Sequence, residues 1–332
     1  MMCENAAPIG RRTSRRRVFL LALGACLFFS AVPGVPAQDL RPGEAAASDT
    51  AVGRKLEAPV DTRAVKDKFW WSEDWFDRGL LEVAQNYELE RRELSYLNPA
   101  DKTEVPALLF RPKRPGRFPA VLFSHGRRGL DDLVERMVRR IAARGFVVLA
   151  PDLYAARMIE AMPVRHSPEA EGDLDAGVDA LLQLPDVATT KLCLLSHTRG
   201  GYYTLKVAVS RNRQAEHVAC YVSAYPHWQD PNSPEPDQVY RYASEADRLE
   251  IPTLIVMGEY EQYQRRRSIE TAVKAMKQVG RDVRLVVYPG VGRGFDFRGS
   301  EVRTFADDLA AKDAVQRAAA FMNLHLAPSL KK

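Results

Sequence analysis

The chain has 332 residues, with 48 Lys+Arg against 43 Asp+Glu and 46% hydrophobic side chains. That apolar share excludes global disorder, and the length suits one large domain or two small ones. A formal charge of +5 and a pI of 9.0 invite a polyanionic partner, so the position of the surplus charge must be fixed first.

Residues 1–37 hold Arg11, Arg12, Arg15, Arg16 and Arg17 against Glu4 alone. An apolar run of 15 residues, Val18 to Val32, follows and ends near Val35-Pro36-Ala37. A basic start, a short apolar run and a small-residue cleavage site predict an export signal. The run is short of the about 20 residues that span a bilayer. Arg16-Arg17-Val18-Phe19-Leu20 also looks like a twin-arginine signal, which exports a folded chain to the periplasm or beyond. Leu23-Gly24-Ala25-Cys26 offers an alternative, a lipid anchor through Cys26, although Leu27-Phe28-Phe29 stays apolar where lipoproteins turn polar.

Cleavage after Ala37 leaves 295 residues with 43 basic and 42 acidic side chains. A mature chain so near neutrality has no global field for nucleic acid. Its remaining cysteines, Cys193 and Cys220, lie in apolar runs. They are expected as two lone core thiols, although an oxidising compartment permits a bridge. No Cys/His cluster has metal-ligand spacing, so no metal or cofactor is expected.

Residues 38–63, rich in Ala, Pro and Gly, read as a flexible linker to a domain over 64–332. A helix is predicted over 64–86, where Phe69, Trp70, Trp71, Trp75 and Phe76 crowd together as core rings. Strands are then expected at 87–97 and 105–111, joined by Asn98-Pro99-Ala100-Asp101, followed by an apolar strand over Pro119–Ser124. Further strands follow at 146–150, 191–196, 217–224, 251–257 and 283–288. Helices alternate with them at 131–144, 169–184, 200–211, 265–279 and 304–325. Continuous apolar strands between amphipathic helices predict a mostly parallel sheet covered on both faces. Ligands bind such sheets beyond the carboxyl ends of the strands.

The strand ends carry a resemblance. Pro119-Ala120-Val121-Leu122-Phe123-Ser124-His125-Gly126 with Gly129-Leu130 resembles the third strand and oxyanion segment of the dienelactone hydrolase family. Arg144 to Tyr154, reading RGFVVLAPDLY, is the most specific stretch, and Ile251-Pro252-Thr253-Leu254 and Tyr288-Pro289-Gly290 follow in order. The resemblance spans about residues 87–325. It implies an α/β-hydrolase fold, a three-layer sandwich around a mostly parallel sheet, here preceded by the aromatic-rich helix. It also implies a Ser or Cys nucleophile, an Asp and a His.

All three positions are altered. Ser196-His197-Thr198-Arg199-Gly200-Gly201 fits the nucleophile elbow and places Thr198 at the nucleophile position. A β-branched residue is strained at the positive φ expected there. Glu261 stands at the acid position, a mild change. Arg293 stands where the family carries His, and a protonated guanidinium cannot accept a proton. Glu261 and Arg293 are expected to form a bidentate ion pair within about 6 Å. His125 and Gly126 belong to the oxyanion segment, with the backbone N–H of Arg199 as the second donor. Of the six histidines, His227 is the candidate alternative base, and His197 is expected to point away. Arg293, Arg199 and Arg127 suggest a cleft for a carboxylate, whereas Arg265-Arg266-Arg267 reads as a solvated helix start. Two functions remain: a binding or scaffold module without standard hydrolysis, or an ester or lactone hydrolase using Thr198 with His227.

Overall fold

The structure, a computed structural model, describes residues 87–299 and 301–331. The expected signal, linker and aromatic-rich helix lie outside the described residues.

One sheet contains β1 (Leu89–Leu97), β2 (Glu104–Pro112), β3 (Phe118–Ser124), β4 (Val147–Pro151), β5 (Val187–His197), β6 (Val218–Ala224), β7 (Thr253–Tyr260) and β8 (Val283–Gly292). Their spatial order is β1-β2-β4-β3-β5-β6-β7-β8. β2 runs antiparallel to β1 and β4, and all other neighbours are parallel. The helices between them are α1 (Asp132–Ala142), α2 (Glu169–Leu182), α3 (Gly200–Leu205), α4 (Arg213–Glu216), α5 (Glu235–Tyr240), α6 (Tyr263–Gln278) and α7 (Phe305–Leu326). This is the expected α/β-hydrolase sandwich.

The central strands read as unbroken apolar runs because both faces are covered. Ala120, Val121, Leu122 and Phe123 in β3 and Val147 to Ala150 in β4 have no exposed surface. Helix pairs α1 with α7 and α2 with α3 pack over the sheet. The helix starts are fixed by side chains that satisfy free backbone N–H groups. Asp131 caps α1 by accepting from Val134 N–H at 3.0 Å. Thr304 and Asp307 form a reciprocal capping box on α7.

One expectation is corrected. Cys193 in β5 and Cys220 in β6 are partners in register, 4.7 Å apart at Cα, and they form a disulfide. Each apolar run reveals burial, but neither reveals that the two strands are neighbours.

The topology also places the site. β4 lies on one side of β3 and β5 on the other. The loops leaving β3 and β5 therefore diverge over a crevice at their carboxyl ends.

Candidate active-site cleft

The elbow after β5 is built by close backbone packing. A Cβ on Gly200 would collide with the Ser124 and His125 carbonyls, and one on Gly201 would lie 2.5 Å from the Pro226 side chain. Ser196 is small enough to bury, and its hydroxyl donates to Ser223 Oγ at 2.8 Å. The chain can only turn between them, and Thr198 takes a φ of +50°. For a β-branched residue that conformation costs about 1–3 kcal/mol. The Thr198 hydroxyl lies directly over Gly126, where a Cβ would overlap it. The segment after β3 and the elbow after β5 thus meet at Gly126 and Thr198.

Glu261 and Arg293 also meet. Arg293 Nη1 donates to Glu261 Oε1 at 2.8 Å. The Glu261 side chain has 0% exposure and that of Arg293 has 25%. The pair is single rather than bidentate. Glu261 Oε1 also accepts from Gln262 N–H at 3.0 Å, while its other oxygen has no partner. The Arg293 guanidinium carbon sits 5.5 Å from the centre of the Tyr225 ring, which holds the group over an aromatic face.

The dienelactone hydrolase family profile matches residues 105–326. The chain belongs to the dienelactone hydrolase family. A Methylorubrum extorquens protein provisionally named a carboxymethylenebutenolidase is 27% identical over 210 residues, covering 59% of this chain and 70% of that protein. An Escherichia coli hydrolase fragment, also provisionally named, is 38% identical over 66 residues, covering 20% of this chain and 56% of the fragment. Among solved structures, a provisionally named dienelactone hydrolase from Klebsiella pneumoniae superposes with a TM-score of 0.56 at 22% identity, covering 71% of this chain and 98% of that one. The hyperthermophilic esterase of the archaeon Pyrobaculum calidifontis gives 0.56 at 19% identity, covering 81% and 93%. At these identities the structures speak for the fold alone.

Two histidines near the elbow are engaged by other groups. His125 is architectural: Nδ1–H donates to Gly126 O at 2.8 Å and Nε2 accepts from Leu153 N–H at 3.1 Å. It pins the β3 loop to the end of β4 and offers nothing to a ligand. Gly126 contributes space, not a side chain. His227 lies in the cleft, and its backbone N–H donates to Thr198 O at 2.7 Å. Its ring nitrogen Nε2, however, accepts from the Arg265 guanidinium. Burial, and then the charge of Arg265, hold its pKa well below the usual histidine value.

Two sequence expectations fail here. His197 does not turn away. Its ring lines the cleft beside Thr198, 5.5 Å from Phe123 and 5.1 Å from Phe297 between ring centres. Burial, then the charges of His125 and Arg293, push its pKa down to about 3. Such a group takes protons poorly near neutrality. Arg265 is not a solvated helix start either. Helix α6 begins two residues earlier than expected, at Tyr263, and Arg265 turns inward to His227 and Gln229. Arg266 does behave as expected, pairing with Glu270 at 2.8 Å on the surface.

The resulting cleft, about 380 Å³, is walled by Arg127, Arg128, Arg199, Arg265, Arg293 and Arg298 around Thr198. Three of the six are neutralised: Arg128 by Asp131, Arg293 by Glu261 and Arg298 by Asp307. The others bind neutral groups. Arg127 donates to the Met162 and Pro163 carbonyls, and Arg199 to those of Pro163, Val164 and Arg165. These contacts hold the 162–165 segment against the cleft.

Proposed function

We propose that this chain is an exported member of the dienelactone hydrolase family in which binding of a small anionic molecule has replaced ester hydrolysis. The observation that carries the reading is the 2.8 Å contact between Arg293 Nη1 and Glu261 Oε1. A guanidinium has no acceptor lone pair, so the position that serves the family as a base holds a fixed charge instead. Losing one member of a triad costs about 10⁴ or more in rate.

A second reading, an ester or lactone hydrolase using Thr198 and His227, draws on the esterases of like fold. One assay separates them. Purified protein and Thr198→Ala are given activated acetate esters and lactones. The binding reading expects no turnover above buffer from either. Turnover that disappears in Thr198→Ala overturns it.

The Cys193–Cys220 disulfide supports export, because such bridges persist in oxidising compartments. The mass of the mature chain distinguishes cleavage after Ala37 from acylation at Cys26. A mature chain that still begins at its first residues overturns export.

A further inference from the structure

We infer that the cleft over Thr198 is a site for a tetrahedral, doubly charged oxyanion, a phosphate or phosphate monoester, held by Arg127, Arg199 and Arg265. The inference deepens the binding reading above and rests on it only for the absence of competing hydrolysis. The first ground is uncompensated charge. Among the described residues, no carboxylate pairs with any of these three side chains, and each donates instead to a neutral acceptor. Three cationic groups therefore face a cleft of about 380 Å³ that no acidic side chain lines.

The second ground is donor supply. A guanidinium carries five N–H donors. Arg127 spends two, on Pro163 O and Met162 O. Arg199 spends three, on Pro163 O, Arg165 O and Val164 O. Arg265 spends two, both from Nη1, on His227 and Gln229. Donors remain on all three.

The third ground is direction. Arg127 follows β3, Arg199 follows β5 and Arg265 sits in the first turn of α6. A planar carboxylate is satisfied by one guanidinium on one edge. Donors arriving from three segments suit an anion with three terminal oxygens and a charge of about −1.5 to −2 at neutral pH. The arginines also feel one another. Burial, then Arg293 and Arg199, depress the Arg265 pKa to about 10, so an anion bound between them would relieve that repulsion.

The test is calorimetric titration at constant ionic strength, with inorganic phosphate, glycerol phosphate and succinate as separate probes. Arg265→Gln and Arg127→Gln are titrated beside the parent, and whichever keeps the parental melting curve is read. Saturable phosphate binding, tighter than succinate and weakened about tenfold or more in the variant, is expected. A tighter fit for glycerol phosphate assigns the site to organic phosphates, and equal affinity assigns it to the free anion. No saturable phosphate binding by the parent, succinate binding more tightly than phosphate, or an unchanged affinity in a folded variant overturns the inference. If both variants unfold, the parental phosphate-to-succinate comparison decides alone. Failure here leaves the hydrolysis assay untouched, so the two readings fall separately.

Discussion

The Glu261–Arg293 pair is best weighed by a double-mutant cycle. Removing one partner of a buried pair typically costs about 3–5 kcal/mol, because the other charge is left without compensation. Here the carboxylate has 0% side-chain exposure but the guanidinium has 25%, so water screens part of the loss. For Arg293→Gln this discount leaves about 2–3 kcal/mol of destabilisation. In a domain of this size that lowers the melting temperature by about 4–12 °C. Glu261→Gln removes the buried charge along with the contact and should cost less, about 1–2 kcal/mol. The double variant should therefore be about as stable as Arg293→Gln alone, because a coupling of about 1–2 kcal/mol offsets the cost of the second substitution. Urea unfolding of the four proteins at one pH supplies the cycle. A coupling below about 0.5 kcal/mol would refute the reasoning, since the two side chains would then contribute independently.

Three further outcomes are expected. Thr198→Gly should raise stability by about 1 kcal/mol, the relief of positive-φ strain exceeding the extra entropy of a flexible unfolded residue; a lower melting temperature would show that Thr198 is not strained. Reducing the Cys193–Cys220 bridge, which closes a separation of 27 residues, should cost about 3.5 kcal/mol by loop entropy; equal urea midpoints with and without reductant would contradict this. His197 has a folded pKa of about 3, below its unfolded value of about 6.5. The unfolded chain therefore binds more protons between those values, and this contribution to stability is intact above about pH 6.5 and is lost as pH falls towards 3. His197→Phe keeps the aromatic packing and should flatten the fall in urea midpoint between about pH 6.5 and 4, whereas parallel curves would remove His197 from the acid response.

The sheet was legible because its pattern is long and redundant. Val147 to Ala150 and Ala120 to Phe123 are apolar at consecutive positions, and only a strand covered on both faces needs that. The candidate positions Thr198, Glu261 and Arg293 were legible for a different reason. The elbow is bracketed by Ser196 and Gly200, and the loop after β8 by Pro289-Gly290 and Gly294-Phe295, so the backbone demands survive around the changed residues. What failed depends on direction or adjacency. The sequence pattern places His197 and Arg265 in the right segments but on the wrong sides of them. A one-residue error in facing, or a two-residue error in a helix start, is enough for that. The disulfide needed the knowledge that β5 and β6 are neighbours, which no short run contains. The grip of Arg127 and Arg199 on residues 162–165 was invisible, because a carbonyl cradle leaves no mark on the side chains of the segment it holds.

The strain at Thr198 is a poor witness for catalysis in this chain. Strained residues gather at active sites, which would make a φ of +50° on a threonine look like retained function. Yet the turn is imposed from outside the residue. Gly200 packs against the Ser124 and His125 carbonyls and Gly201 against Pro226, contacts that belong to the sheet and α3. The Thr198 carbonyl accepts from the N–H groups of Gly201 and His227 at 3.0 and 2.7 Å, closing the turn on both sides. Nothing in that set depends on the hydroxyl. The elbow therefore persists whether or not position 198 reacts, and its cost is borne by packing elsewhere. The informative residue is the one whose geometry the fold does not impose. Arg293 is such a residue: the loop after β8 carries a guanidinium that reaches a buried carboxylate. That fixed positive charge lies in a cleft where three other arginines lack a carboxylate partner among the described residues.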